Sequence, residues 1–142
     1  MDAPSDYRAI LFHKQATSAR LRFLRFDRGS VCAFESLPAL SRVHGSTQDG
    51  VALHPAAAVR RLEAELGFET DSLRACEGYH FEVEVPGERI PVFLVEITST
   101  DPPFSVAGKI GAQFIELTQA RGGLPSVELE LLRGAYELVL GG

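Results

Sequence analysis

Positive charge is in short supply in this chain. Fourteen Lys and Arg stand against 19 Asp and Glu, a net charge of −5, whereas a broad nucleic-acid surface needs the opposite balance. That class is excluded as a whole-surface function, although a local basic patch is not. Cysteine is scarcer still: Cys32 and Cys76 are far apart and lack C-x-x-C spacing, which argues against a zinc site or a disulfide framework and for buried free thiols. No apolar run approaches the length of a membrane span. Met1-Asp2-Ala3-Pro4-Ser5-Asp6 has neither the basic nor the apolar segment of a secretory leader. The expectation is a soluble cytoplasmic protein with no membrane partner. A G-x-S-x-G elbow, a P-loop and a dinucleotide fingerprint are all missing, and no histidine pairs with either cysteine by motif, so nucleophilic catalysis has little support.

What is present is enough for a core. With 142 residues, 45% of them hydrophobic, one domain over 1–142 is expected. No repeat, low-complexity tract or linker divides it. Ala9-Ile10-Leu11-Phe12 is too short for a helix and reads as a buried strand. Arg20 to Asp27 opens with alternation and closes in Asp27-Arg28-Gly29-Ser30, a strand and a turn. Val31 to Phe34 is a short apolar segment, and Ser41 to Leu53 is a loop by composition. Tyr79 to Val85 alternates strictly, Pro86-Gly87-Glu88-Arg89 turns, and Ile90 to Ile97 returns, with Pro91 expected at the start of that second strand. Thr98 to Gly111 is expected to be a surface loop and Gln113 to Leu117 a strand. Thr118 then suits the cap of a helical turn ending at Gly122-Gly123. A last helix from Ser126 repeats Val127, Leu131, Ala135, Leu138 and Val139 at helical spacing.

The most marked stretch runs from His54 to Phe68. Pro55 suits a first helical position and Gly67 the left-handed residue that ends a helix. At about 100° per residue Ala58, Val59, Leu62 and Leu66 share the side that should pack on a sheet. The opposite arc holds Ala57, Arg61, Ala64 and Glu65, with Arg60 at its edge.

This stretch resembles the second half of the Nudix box, G-x5-E-x7-R-E-U-x-E-E-x-G-U, where U is a bulky apolar residue. With Gly67 and Phe68 fixing the frame, Arg60 falls on its Arg, Leu62 on its U and Glu65 on its final Glu. Arg61 and Ala64 stand at the other two helical glutamates, Ala52 at the upstream Glu, and Ser46 at the leading Gly, one place after Gly45. The resemblance implies an α+β fold of the Nudix-like α/β/α sandwich type, a mixed sheet between helices. It also implies a site at this helix, where family carboxylates hold Mg2+ or Mn2+ against a diphosphate. Here one carboxylate remains on that arc, and Arg61 stands four residues before it, placed to pair.

Two functions follow from these residues. In the first, metal-dependent hydrolysis is weak or gone and the domain binds a nucleotide-like or phosphate-bearing ligand, or a protein partner. No metal is then needed, and Arg61 serves either as a phosphate ligand or as the partner of Glu65. In the second, the chain hydrolyses a nucleoside diphosphate linked to another moiety, with Glu65 as catalytic residue and metal ligand and Mg2+ or Mn2+ as cofactor. The ligand-binding candidates implied are Arg61, Arg60, Gly45, Ser46 and His44, the last three in the loop before the helix. Arg60 is expected to be at least half-buried, paired with Glu65 or a loop carbonyl. Glu63, about 100° round from Ala64, is expected in solvent. His80, Glu82 and Glu84 share a strand face that reads either as a metal or base cluster or as a solvated face, and His54 as the residue preceding the helix. Glu96 and Glu116 stand where some family members draw an extra ligand or base. Arg20, Arg22 and Arg25 read as an anion patch or a solvated strand. A homodimer is compatible with the sequence.

Overall fold

The computed structural model describes residues 7–141 apart from 17, 19, 39, 46–54, 77 and 80. Among the described residues the elements, in chain order, are β1 (Arg8–Lys14), β2 (Leu21–Phe26), β3 (Cys32–Ala33), β4 (Arg42–Gly45), α1 (Pro55–Leu66), β5 (Leu73–Ala75), β6 (Phe81–Val85), β7 (Glu88–Ile97), α2 (Phe104–Lys109), β8 (Ala112–Ile115), α3 (Leu117–Ala120) and α4 (Ser126–Gly141). The strands form one sheet in the order β4-β6-β7-β1-β2-β8, with β3 added to β1 and β5 to β7. β1 and β7 run parallel and the other pairings are antiparallel. The sheet is therefore mixed, as expected.

Both faces are covered, which explains why β1 reads as an unbroken apolar run rather than an alternation. Ile10, Phe12, Phe23, Val83, Ile90, Val92 and Leu94 face α3 and α4, where Ala120, Leu131, Leu132 and Ala135 close the layer. Ala9, Leu11, Leu24, Phe26, Val95 and Ile97 face Leu62 of α1 and Ala107 of α2. On α1, Ala58 and Leu62 are fully buried, while Val59 and Leu66 are only half-buried. Gly67 takes φ +82°, and its N–H donates to the Glu63 carbonyl at 3.1 Å, the left-handed helix end its sequence position predicts. α4 starts at Ser126 as expected, but its buried face turns on Glu128, Leu131, Leu132 and Ala135, and Leu138 is 38% exposed. The helix lies so close to β6 that a Cβ at Gly134 would stand 2.8 Å from Phe81 Cζ.

Other boundaries are corrected. Arg42–Gly45 lies inside the expected loop, yet pairs with β6 as the edge strand β4, braced by Arg42 Nε and Glu84 Oε1 at 3.5 Å. β5 joins β7 in a segment, Leu73-Arg74-Ala75, for which no strand was expected. α2 occupies the expected surface loop after Thr98. In the hairpin, Val85 already opposes Glu88, so the turn is Pro86-Gly87 alone, with Gly87 at φ +89°. Pro91 is internal to β7 and opposes Glu82. Counted from the closing pair Val85–Glu88, that is a non-hydrogen-bonded position of the ladder, where its missing N–H costs nothing toward β6. Glu116, not Thr118, stands at the N-cap of α3, and its N–H donates to Gln119 Oε1 at 2.8 Å. No described helix is long and apolar enough to cross a membrane.

Candidate functional site

α1 packs its apolar stripe on the sheet, so the arc carrying Arg61 and Glu65 must point outward. Arg61 Nε donates to Glu65 Oε2 at 2.7 Å, the i,i+4 pair expected of this spacing. The same guanidinium lies 3.8 Å from the centroid of Phe34 and 5.4 Å from that of Tyr7. Tyr7 meets both Phe34 and Phe93 edge-on, with centroids 5.3 and 5.7 Å apart. Beneath them, Tyr7 and Ala58 form a small buried cluster of their own. The Tyr7 side chain first, and Glu65 second, push the Arg61 pKa above its ordinary value. A cation thus rests on two rings, Tyr7 just before β1 and Phe34 in the turn after β3, with Phe93 of β7 packed against Tyr7. The pairing with Glu65 is legible in the sequence; the platform is not, because only the fold brings its rings beneath the helix.

The remaining candidates scatter. Arg60 is exposed rather than half-buried, since Glu65 is taken by Arg61 on the neighbouring position. Glu63 is half-buried rather than in solvent: its Oε2 accepts the Asp71 N–H at 2.9 Å and so holds the turn after the helix, where Asp71 takes φ +69°. His44 and Gly45 belong to β4, and Gly45 stands opposite Glu82. Ser46, Ala52, His54 and His80 lie outside the described residues.

Strand alternation sorts the other acids. Val83, Val85, Ile90, Val92 and Leu94 face α4, so Glu82 and Glu84 lie on the α1 side and Glu96 on the α4 side. Glu82 keeps one carboxylate oxygen buried without a hydrogen bond, 3.8 Å from Arg89 Nη1. Glu96 is engaged by Arg74 and Glu116 by Arg20 Nε at 2.7 Å. The sheet therefore stands between Glu96 and Glu65. Among the described residues no group of three or more His, Cys, Asp or Glu side chains is arranged to hold a metal ion. Arg22 donates to Gln15 Oε1 at 2.9 Å, and with Arg20 on Glu116 these arginines are spent on separate partners rather than gathered into a patch.

Two buried polar groups escape sequence reasoning. Glu128, 1% exposed, accepts the Ser30 hydroxyl at 2.7 Å and the Val31 N–H at 2.9 Å, which pins α4 to the turn between β2 and β3. A glutamate in a first helical turn looks like an ordinary dipole partner, and nothing in the sequence marks it as buried. His13, fully buried, bonds through Nε2 to the Ser99 carbonyl at 2.8 Å, and its Nδ1 has no hydrogen-bond partner.

Comparison with protein-family models finds no match, and neither does comparison with curated proteins. Among solved structures the chain is similar to the Ap4A hydrolase of C. elegans, a Nudix hydrolase. The TM-score is 0.58 and the identity 15%, over 94% of this chain and 98% of that one. The fold is Nudix-like. At that identity the likeness carries the architecture alone. α1 carries Arg60, Arg61, Leu62 and Glu65, the helical residues that resemble the Nudix box.

Proposed function

We infer that this Nudix-like domain binds a nucleotide-like or phosphate-bearing ligand, or a protein partner, with weak or no hydrolysis, its box helix being a degenerate metal site. The observation that carries the reading is the lodging of Arg61. A guanidinium set on Phe34 and Tyr7 and bonded to the one carboxylate of the arc takes the position of a family ligand glutamate. A hard divalent ion needs several oxygen ligands. The donors described here offer Glu65 alone on that arc, beside a fixed positive charge that repels the ion. The residues present do not fit Mg2+ or Mn2+ at α1. Arg61 reads as the intramolecular partner of Glu65 first and as a phosphate ligand second. Arg60, exposed one position away, and β4 with Ser46 beyond it are the other groups proposed to meet a ligand.

Calorimetric titration with Mg2+ and Mn2+, each with and without ADP, ATP or Ap4A, tests this. The expected result is no submillimolar metal binding and no metal-dependent loss of substrate. Submillimolar Mg2+ binding that disappears in Glu65→Gln would overturn it. That outcome would favour the second reading, a hydrolase of nucleoside diphosphate-linked substrates, which draws support from the activity named for the C. elegans protein and from the buried, unbonded oxygen of Glu82 on the α1 side. Replacing Arg61 by Glu together with Ala64 by Glu rebuilds the carboxylate arc and is expected to raise Mg2+ affinity.

A further inference from the structure

The face of the sheet opposite α1 carries a cavity of about 300 Å³ between the start of β2, α3 and the C-terminal half of α4. Its apolar wall is Leu21, Leu117 and Leu140. Leu21 is 5% exposed and belongs to the core on the α4 side, so this wall is a fixed part of the fold rather than a mobile surface. Around the wall stand Arg20, Glu116, Thr118, Arg121 and Tyr136. Arg20 and Glu116 bond to each other at 2.7 Å, although both are reached by solvent. That pair ties β2 to the N-cap of α3 and is internally neutral. Arg121, exposed, adds a second guanidinium to the lining, so the cavity is left with a net positive charge. Tyr136 is 41% exposed although its helix neighbours Leu132 and Ala135 are fully buried. An aromatic face is thereby kept at the rim.

We propose that this cavity is a second binding site, for a small organic anion built on one planar ring, with the anionic head on Arg121 and the ring between Tyr136 and the leucines. Three properties select that class. The volume is at the small end for ligand pockets, enough for one ring and its head group but not for a dinucleotide. One carboxylate against two guanidiniums selects an anion over a cation, and a guanidinium meets a carboxylate or phosphate through paired N–H donors. The exposed phenol and the apolar wall reward a flat ring over a bare ion. The site lies across the sheet from α1 and does not depend on what that helix does.

Phenyl phosphate and benzoate are the probes, with inorganic phosphate and phenol as half-probes, titrated into the whole chain and followed by amide chemical shifts and calorimetry. The expected result is saturable shifts from either ring anion, confined to residues 20–21, 116–121 and 136–140, with each half-probe binding at least about tenfold more weakly. Arg121→Ala is expected to weaken phenyl phosphate about tenfold and Tyr136→Ala several-fold, while Arg133→Ala, an exposed α4 arginine outside the lining, changes nothing. All three positions are on the surface, and equal thermal midpoints will show that the fold is kept. Phosphate binding as well as phenyl phosphate would overturn the ring requirement. No local shift at about 10 mM probe, or full affinity in Arg121→Ala, would overturn the site.

Discussion

Two glutamates on two helices, Glu128 on α4 and Glu65 on α1, show how little residue type says without surroundings. Glu128 is enclosed, and its two oxygens are occupied by the Ser30 hydroxyl and the Val31 N–H. Glu65 is half-exposed and is held by one arginine that itself rests on rings. A buried acceptor that serves two otherwise orphaned donors is committed to the fold. An exposed ion pair contributes only a few tenths of a kcal/mol and stays available to solvent and ligands. The α4 face of the sheet uses its acid for structure; the α1 face leaves its acid available.

That contrast is open to direct attack. The largest loss is expected from Glu128→Ala, which strands two buried donors: about 3–4 kcal/mol in urea melts. A loss below about 1 kcal/mol would put Glu128 in the same class as Glu65. Next comes Leu62→Ala beneath the α1 arc, about 3 kcal/mol for a fully buried leucine. A loss under about half a kcal/mol would show that α1 is not seated on the sheet as described. Arg61→Ala removes a cation–ring contact and an exposed ion pair and is expected to cost about 1 kcal/mol. If Arg61 serves only Glu65, the same variant leaves nucleoside diphosphate affinity unchanged; as a phosphate ligand it would cost about 1.5–3 kcal/mol of binding.

Alkaline pH probes the α4 face in a different way. Burial first, and the neighbouring Glu128 carboxylate second, push the Cys32 thiol from 9.0 up to about 12, and burial likewise raises the Tyr79 phenol. An acid whose folded pKa is raised stabilises the fold below its unfolded pKa. That contribution is lost as pH climbs from about 9 toward the folded value. Cys32 is expected to cost about 1 kcal/mol between pH 8 and pH 10, and Cys32→Ala to flatten that part of the stability profile. The smallest effect is expected from Glu65→Gln, within about 0.5 kcal/mol of the parent protein.

The parts of the fold legible in the sequence share one property: their signal is local and repeated. α1 has a proline start, a glycine stop and a stripe; the β6–β7 hairpin has strict alternation around Pro86-Gly87. β4 and β5 have neither. Val43 is the only large apolar residue of β4, and the strand exists because β6 offers it a ladder and the core a place for Val43. The same holds at the site. Arg61 and Glu65 are four apart and their pairing follows from helix geometry, whereas Phe34 and Tyr7 come to Arg61 from elements distant in sequence. Glu128 is illegible for the same reason, because its donors belong to a turn far upstream.

The parallel pairing of β1 with β7 has a consequence for synthesis. β1 is made before β7, and β2 can pair with its Phe12–Lys14 end soon after both are made. The other edge, from Arg8 to Phe12, finds its partner only when Val92 to Glu96 has been made. Until then a strand with six buried positions out of seven has an unpaired side, the kind of exposed edge on which nascent chains associate with one another. The pairing of Arg8 with Val92 at the centre of the sheet is a long-range contact, of the kind whose loop-closure cost slows folding. A nascent chain stalled before β7 keeps that edge of β1 open.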